Sequence, residues 1–269
     1  MTALLILILA LGAALLLATR CRRGHPGLKD LEGWNYAHRG LHGPGCPENS
    51  MAAFRASLAR GYGIELDVHL LKDGQLAVIH DSRLKRTTGR EGIIEDCTAE
   101  DLPGIFLEGT QETVPLFRQV LELYDGKAPL IVELKPAGNN HVRLSRTVCD
   151  LLESYQGVYC LESFDPRCVA WIRKNRPHLI RGQLTENFLE TGSHMPWILR
   201  FLMTHNLLNF LSVPDFVAYK YADRNYSFTT RLCRKLWKVQ GVTWTLKTME
   251  EHRQAVKEGW IPIFEDYTP

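Results

Sequence analysis

Apolar residues are distributed along this chain in three patterns. Residues 2–19 form an unbroken run of mostly Leu, Ile and Ala without a charged side chain. Further on, short β-branched stretches predict strands at 35–39, 63–70, 130–135, 158–163, 180–184, 207–213, 242–246 and 262–265. Between most of these lie segments whose apolar positions recur every three or four residues. They predict helices at 51–60, 115–124, 141–155, 166–175, 228–239 and 249–258. Asn49 or Ser50 can cap the first of these helices. Pro166 after Asp165 starts another, and Gly259 stops the last.

Eight strand–helix alternations predict a parallel sheet, and eight strands close a barrel. The expected fold class is α/β, a TIM-type (β/α)8 barrel. A doubly wound open sheet is the competing architecture, but the chain lacks the glycine-rich strand-to-helix turn that would favour it. One segment interrupts the rhythm: residues 76–80 are strand-like and follow Lys72, Asp73 and Gly74, a hairpin turn. The second strand should therefore extend into a hairpin. Residues 82–113 should then form an insertion over the C-terminal face, where barrel sites form. The expected organisation is an anchor over 1–20, a polar linker over 21–33 and the barrel domain over 34–269.

Composition narrows the function. The 269 residues carry a net charge of +2 and 45% apolar side chains. That suits a full core and lacks the basic field that would point to nucleic acid. Seven scattered cysteines, none in a C-x-x-C pair, read as reduced thiols. At the N-terminus no charge precedes the apolar run, and Arg20, Arg22 and Arg23 follow it. This favours a single transmembrane helix over a cleaved signal peptide. The positive-inside rule then places the domain that follows in the cytoplasm.

A few polar residues stand where apolar ones belong. Glu65 and Asp67 are two apart on a strand and share one face. Two acids inside a barrel cost several kcal/mol unless neutralised, and a divalent cation is the simplest neutraliser. An all-oxygen set favours Mg²⁺ or Ca²⁺. The competing reading is a solvent-facing edge with Ile64, Leu66 and Val68 as the buried side. Glu133, between Val132 and Leu134, offers a third carboxylate, with Lys135 on the same face; alternatively the two pair at the rim. His38, before Arg39, and His80, before Asp81, each stand where a strand ends. Two imidazoles flanking a phosphorus can act as base and acid, and Arg39 offers a fork for phosphate. A lone His is more often a hydrogen-bonded core residue, and His42, in a Gly- and Pro-rich loop, is left out of the set.

The order of these residues resembles the glycerophosphodiester phosphodiesterase family. The match runs through His38-Arg39-Gly40, Pro47-Glu48-Asn49-Ser50, Glu65-Leu66-Asp67-Val68, Lys72-Asp73-Gly74, His80-Asp81, Arg86-Thr87-Thr88-Gly89, Glu133-Leu134-Lys135, Ser163-Phe164, Thr243-Trp244-Thr245 and Glu265-Asp266-Tyr267. The resemblance implies one divalent cation, Mg²⁺ or Ca²⁺, held by Glu65, Asp67 and Glu133. It implies His38 and His80 as the acid–base pair, with Arg39 and Lys135 on the phosphate. It further implies Glu48 orienting site groups and Trp244 as a wall against glycerol. Lys247, where the family often has Asn, and Phe264-Glu265-Asp266, in place of the more usual Thr-Asp ending, depart from the pattern. These departures are expected to touch substrate shape more than the catalytic set.

The expected reaction is hydrolysis of a glycerophosphodiester to glycerol 3-phosphate and an alcohol. The expected partners are a small-molecule or lipid-derived phosphodiester and the membrane, with no nucleic acid and no obligate protein partner. Two other readings remain. One is lysophospholipase D action on membrane lysolipids, with the segment around Trp197 as an apolar lid or as an ordinary packing helix. The other is a catalytically inactive, membrane-anchored phosphodiester sensor, against which the intact set of site residues argues.

Overall fold

The computed structural model describes residues 2–191 and 195–269. Its strands are β1 (Tyr36–His38), β2 (Gly63–Leu70), β3 (Leu76–Val78), β4 (Leu130–Leu134), β5 (Tyr159–Ser163), β6 (Arg181–Thr185), β7 (Phe216–Lys220), β8 (Gln240–Leu246) and β9 (Trp260–Phe264). All but β3 pair in parallel, and β1 pairs with both β2 and β9, so eight strands close a barrel. The open-sheet alternative is thereby excluded. β3 runs antiparallel to β2 beyond the Asp73-Gly74 turn, where Gly74 takes φ of +91°. Glycine adopts that left-handed conformation without strain.

Strand alternation sorts the side chains into two cores. Ile64, Leu66, Val68, Leu130, Val132, Val217 and Tyr219 face outward and pack with the surrounding helices. Tyr36, Ile131, Cys160, Leu184, Phe216, Ala218, Val242, Ile261 and Ile263 fill the barrel. Along β2, β4 and β5 the inward positions change to acids toward the C-terminal ends. The helices start as their sequence signals require. Ser50 Oγ accepts from Ala53 N at the head of Met51–Ala59, and Asp165 caps Pro166–Asn175. Asn49 is free for another task. The insertion after β3 holds its own small core of Leu84, Ile94, Leu102, Ile105 and Leu107 against Leu71 and Ile79.

Three expectations are corrected. The apolar run 207–213 is not the seventh strand; it curls into the short helix Asn209–Ser212, and β7 forms after it. An apolar run of that length does not by itself separate a buried strand from a helix. Here Asn209 is buried with its amide on Cys21 Sγ at 3.4 Å, and Val213 takes φ of +39° ahead of Pro214. Second, the polar stretch before β1 is packed against the barrel. Leu31 is buried in the barrel core, Tyr36 Oη donates to its carbonyl at 2.9 Å, and Arg22 pairs with the buried carboxylate of Asp215. Third, the expected membrane span is not met. The helix Thr2–Ala18 has 17 residues, about 25 Å of rise against a bilayer core of about 30 Å. No helix among the described residues is long and apolar enough to cross a membrane.

The barrel interior leaves no spare volume at β6. A Cβ at Gly182 would lie 2.0 Å from the ring of Phe216, which is fully buried. Gly182→Ala is therefore expected to cost about 1–3 kcal/mol of stability through overpacking. It should lower the denaturant midpoint without changing the slope; an unchanged midpoint would show that the ring moves aside freely.

Candidate active site

The inward acids of adjacent strands line up in register. Glu65 lies beside His38, Asp67 beside Glu133, and Glu133 beside Glu162. Ligand oxygens of Glu65, Asp67 and Glu133 all lie within 4.8 Å of one another, and all three residues are buried. Glu162 adds a fourth buried carboxylate, with Oε2 lacking a hydrogen bond among the described residues. Two cations face this group. Lys135 Nζ is 3.1 Å from Glu133 Oε1 and 3.4 Å from Asp67 Oδ1, and Arg39 Nε is 3.5 Å from Asp67 Oδ2. Asn49 Nδ2 donates to Asp67 Oδ2 at 2.8 Å, and Arg39 N donates to Glu65 Oε2 at 3.3 Å.

The field divides these acids. Burial pushes the Asp67 carboxyl up, but Lys135, His80, Arg39 and the Asn49 hydrogen bond hold it well below the usual range. Glu65 is pushed well up by burial and by the charges of Asp67 and Glu133. Burial and Asp67 push Glu133 up to about 7, against the pull of Lys135. Glu162 is pushed well up by burial and Glu133. Ionised together, the four acids would outnumber the two bases, which is why burial pushes three of them up, and Asp67 Oδ1 is buried without a hydrogen bond. An oxygen-only set with an orphaned buried oxygen fits a hard divalent cation such as Mg²⁺ or Ca²⁺.

The imidazoles sit at the rim of this cluster, each tied to a carboxylate. Arg39 and Gly40 take φ of +54° and +81°, which turns the chain sharply as β1 ends. A Cβ on Gly40 would meet Ala53 at 2.9 Å. His38 Nδ1 donates to Glu265 Oε2 at 2.5 Å, while its Nε2 stands 3.9 Å from Glu65 Oε2. His80 Nδ1 donates to Asp81 Oδ1 at 2.6 Å. Burial lowers both imidazoles from their ordinary value, which favours the neutral form at pH 7. Glu48 touches Arg39 Nη1 at 3.0 Å and Arg86 Nη2 at 2.6 Å, and Arg86 in turn pairs with Asp81. Glu48 thus orients Arg39 and links it to the insertion.

The structure brings His38, Arg39, Glu65, Asp67, Glu133, Lys135 and Glu48 into one connected group, with His80 at its edge through the field on Asp67. Trp244, on β8, stands edge-to-face with Phe164 at 5.6 Å. Sequence reasoning assigned no role to Asp81, Arg86, Glu162 or His69, took Asn49 only as a candidate helix cap, and took Glu265 only as a departure touching substrate shape. His69 Nδ1 donates to Glu95 Oε1 at 2.6 Å, and its Nε2 is 3.1 Å from the His80 carbonyl, so it fixes the His80 backbone. Its inward position on β2, two residues past Asp67, was the available signal. For Glu265 there was none within its own segment. Lys247 and Phe264-Glu265-Asp266 were expected to touch substrate shape more than the catalytic set; Glu265 instead bonds His38 directly. His42, left out of the set, has Nε2 3.7 Å from Glu265 Oε1.

Carboxylates, imidazoles and cations gathered at the C-terminal ends of barrel strands define a class: a site for a phosphate-like anion beside a divalent cation. Residues 38–268 match the glycerophosphoryl diester phosphodiesterase family, and the chain belongs to it. A glycerophosphodiester phosphodiesterase of Bacillus altitudinis is 37% identical over 161 residues, 56% of this chain and just under two thirds (65%) of that protein. One from Caldanaerobacter subterraneus subsp. tengcongensis is 30% identical over 240 residues, 86% of this chain and 92% of that protein. A lysophospholipase D of Rattus norvegicus is 33% identical over 133 residues, 45% of this chain and 41% of that protein. In fold, the chain is similar to an Oleispira antarctica phosphodiesterase solved in complex with the product sn-glycerol-3-phosphate. The TM-score is 0.73 at 21% identity, covering 90% of this chain and 95% of that one.

A cation binding among these acids needs Glu133 ionised, so binding displaces its proton below about pH 7. The dissociation constant for Mg²⁺ or Ca²⁺ is expected to rise by about tenfold per pH unit below that point for the Glu133 proton alone, and more steeply where Glu65, also pushed up, takes a proton as well. Calorimetric titration across neutral pH measures this. An affinity flat on the acid side would exclude Glu133 as a titrating ligand.

Proposed function

We propose that the protein hydrolyses glycerophosphodiesters to glycerol 3-phosphate and an alcohol, using a divalent cation held by Glu65, Asp67 and Glu133. The observation that carries this reading is the convergence of three buried carboxylates with Arg39 and Lys135 between two carboxylate-tethered imidazoles. When bound, the cation supplies charge neutralisation at the phosphate. Arg39 and Lys135 bind the phosphoryl oxygens, and Glu48 keeps the Arg39 fork in place. His38 takes the proton from the attacking oxygen, of water or of the neighbouring glycerol hydroxyl, at Nε2. As the new P–O bond forms, the bond to the leaving alcohol breaks, and His80, entering the step as the imidazolium with Nδ1–H on Asp81, gives its Nε2 proton to that alcohol. Attack by the glycerol hydroxyl passes through a cyclic phosphate that water then opens. Trp244 bounds the glycerol side.

A second reading, lysophospholipase D action, is favoured by the cleft. A cavity of about 1210 Å³ runs from His80, Glu133 and Lys135 to an apolar wall of Phe164, Phe188, Leu199 and Met203. The Trp197–Thr204 helix thus lends one side to the cleft, while Trp197 stays 63% exposed. The Thr2–Ala18 helix exposes Leu4 through Leu9, apolar surface of the kind a lipid covers. Attachment to a membrane surface through that helix, with the barrel on its cytoplasmic side, belongs to this reading. Co-sedimentation of the full chain, but not of residues 19–269, with phosphatidylcholine vesicles would support it.

With glycerophosphocholine and Mg²⁺ or Ca²⁺, release of glycerol 3-phosphate is expected, and a chelator should abolish it. His38→Ala and His80→Ala should each lower kcat about 10²- to 10⁴-fold. Binding of the diester without turnover would leave the inactive sensor instead. Faster turnover of lysophosphatidylcholine than of glycerophosphocholine would select the lysolipid reading.

A further inference from the structure

Two residues that depart from the family pattern, Lys247 and Glu265, meet beside His38. β8 and β9 are neighbours in the barrel, and Glu265 N donates to Leu246 O at 2.9 Å. That contact brings the residues just past the two strand ends together. Lys247 Nζ lies 2.9 Å from Glu265 Oε1 and 2.8 Å from Asp266 Oδ2. Glu265 Oε2 receives the hydrogen bond from His38 Nδ1 at 2.5 Å. Both oxygens of Glu265 are therefore engaged, one by the imidazole and one by the ammonium.

We propose that Glu265, itself restrained by Lys247, is a positioning residue that fixes the ring orientation and tautomer of His38. This rests on the reading of His38 as a proton-transfer group. A neutral imidazole carries its proton on one nitrogen and its lone pair on the other, and the partner of one nitrogen decides which. A carboxylate only accepts, so it makes Nδ1 the donor and leaves the lone pair on Nε2, the atom that faces Glu65 at 3.9 Å. Glu265 is the hydrogen-bond partner that holds Nδ1. His42 Nε2, the other nearby imidazole nitrogen, has no hydrogen-bond partner among the described residues and stands 3.7 Å from Glu265 Oε1. Lys247 matters because a glutamate held at one oxygen alone can swing about its side-chain torsions. With both oxygens tied, the carboxylate is a fixed post. His80 has the parallel arrangement, with Asp81 held by Arg86. Each imidazole is thus backed by an acid that is itself held by a base.

The same groups admit a rival reading, a second cation shared by His38, His42 and Glu265, whose ligand atoms lie within 4.8 Å. That cation would have to displace both the His38 hydrogen bond and the Lys247 ammonium from Glu265.

The test uses the full chain with Glu265→Gln, Glu265→Asp and Lys247→Ala. Steady-state kinetics on glycerophosphocholine are combined with ¹⁵N imidazole shifts, the His38 signals being assigned by their loss in His38→Ala. Glu265→Gln is expected to lower kcat about 10- to 100-fold with KM little changed, and to weaken the Nδ1–H signature of His38. Glu265→Asp should restore part of both. Lys247→Ala should lose less, and its effect should vanish in the Glu265→Gln background, because it acts through Glu265. If Glu265→Gln fails to fold, the other two variants carry the same readouts. An unchanged His38 tautomer with unchanged kcat would falsify the proposal. So would stoichiometric Zn²⁺ binding lost equally in His42→Ala and Glu265→Gln, since that is the second-cation outcome. Full activity in His38→Ala would instead sink the catalytic reading of His38, while the imidazole shifts would still report whether Glu265 fixes the ring.

Discussion

Four carboxylates packed into the C-terminal end of one barrel interior impose the constraint that the rest of the site answers. Burying an acid is costly unless its charge is met, and Glu65, Asp67, Glu133 and Glu162 are all buried. Arg39 and Lys135 meet part of that charge, and they meet it unevenly. Asp67, approached by both bases and by the Asn49 amide, is held ionised, whereas Glu65, Glu133 and Glu162 are pushed up. A divalent cation would let Glu65 and Glu133 ionise beside Asp67, which the two bases alone do not achieve. The lower half of the same barrel carries no such burden, because Tyr36, Ile131, Phe216, Val242 and Ile261 fill it with apolar volume.

Around the cluster, ordering proceeds outward through alternating charges. Arg39 is held by Glu48, which is held by Arg86, which also holds Asp81 and so steadies His80. On the opposite side Lys247 holds Glu265, which holds His38. These links exchange a long flexible side chain for a fixed one, which is how a site keeps its geometry without tighter packing. The insertion after β3 takes part through Arg86 and through Glu95, which anchors His69 behind His80. It is therefore a support of the catalytic face as well as a cover. The cleft that opens between it and the Trp197–Thr204 helix passes from charged to apolar within one cavity. That suits a substrate with a phosphate at one end and a bulkier, less polar group at the other.

Much of the fold was legible in the chain because strand alternation and helix periodicity are local. Ile64, Leu66 and Val68 against Glu65 and Asp67 announced both faces of β2, and Asp73-Gly74 announced the hairpin. The seventh strand was misplaced because the 207–213 run has no alternation to mark it; Asn209 and the turn at Val213, tertiary features, decide that it curls. The apolar N-terminal run was legible as a helix, but no helix among the described residues is long and apolar enough to cross a membrane.

Glu65, Asp67, Glu133, His38, His80, Arg39 and Lys135 could be proposed from sequence because each occupies a strand end or an inward strand position, properties of a few neighbouring residues, whereas Glu162, Asp81, Arg86 and Glu265 were passed over. Which strand ends become neighbours is a property of the closed barrel. Closure, which pairs β9 with β1, sets Glu265 against His38 across 227 residues of chain, and the β8–β9 pairing brings Lys247 to Glu265. The β4–β5 register places Glu162 beside Glu133. Sequence thus determined the chemical groups and the strand ends that carry them, and tertiary structure decided which of those groups support one another. Hydrogen bonds and ion pairs act over a few ångströms in space, however far apart their partners lie along the chain.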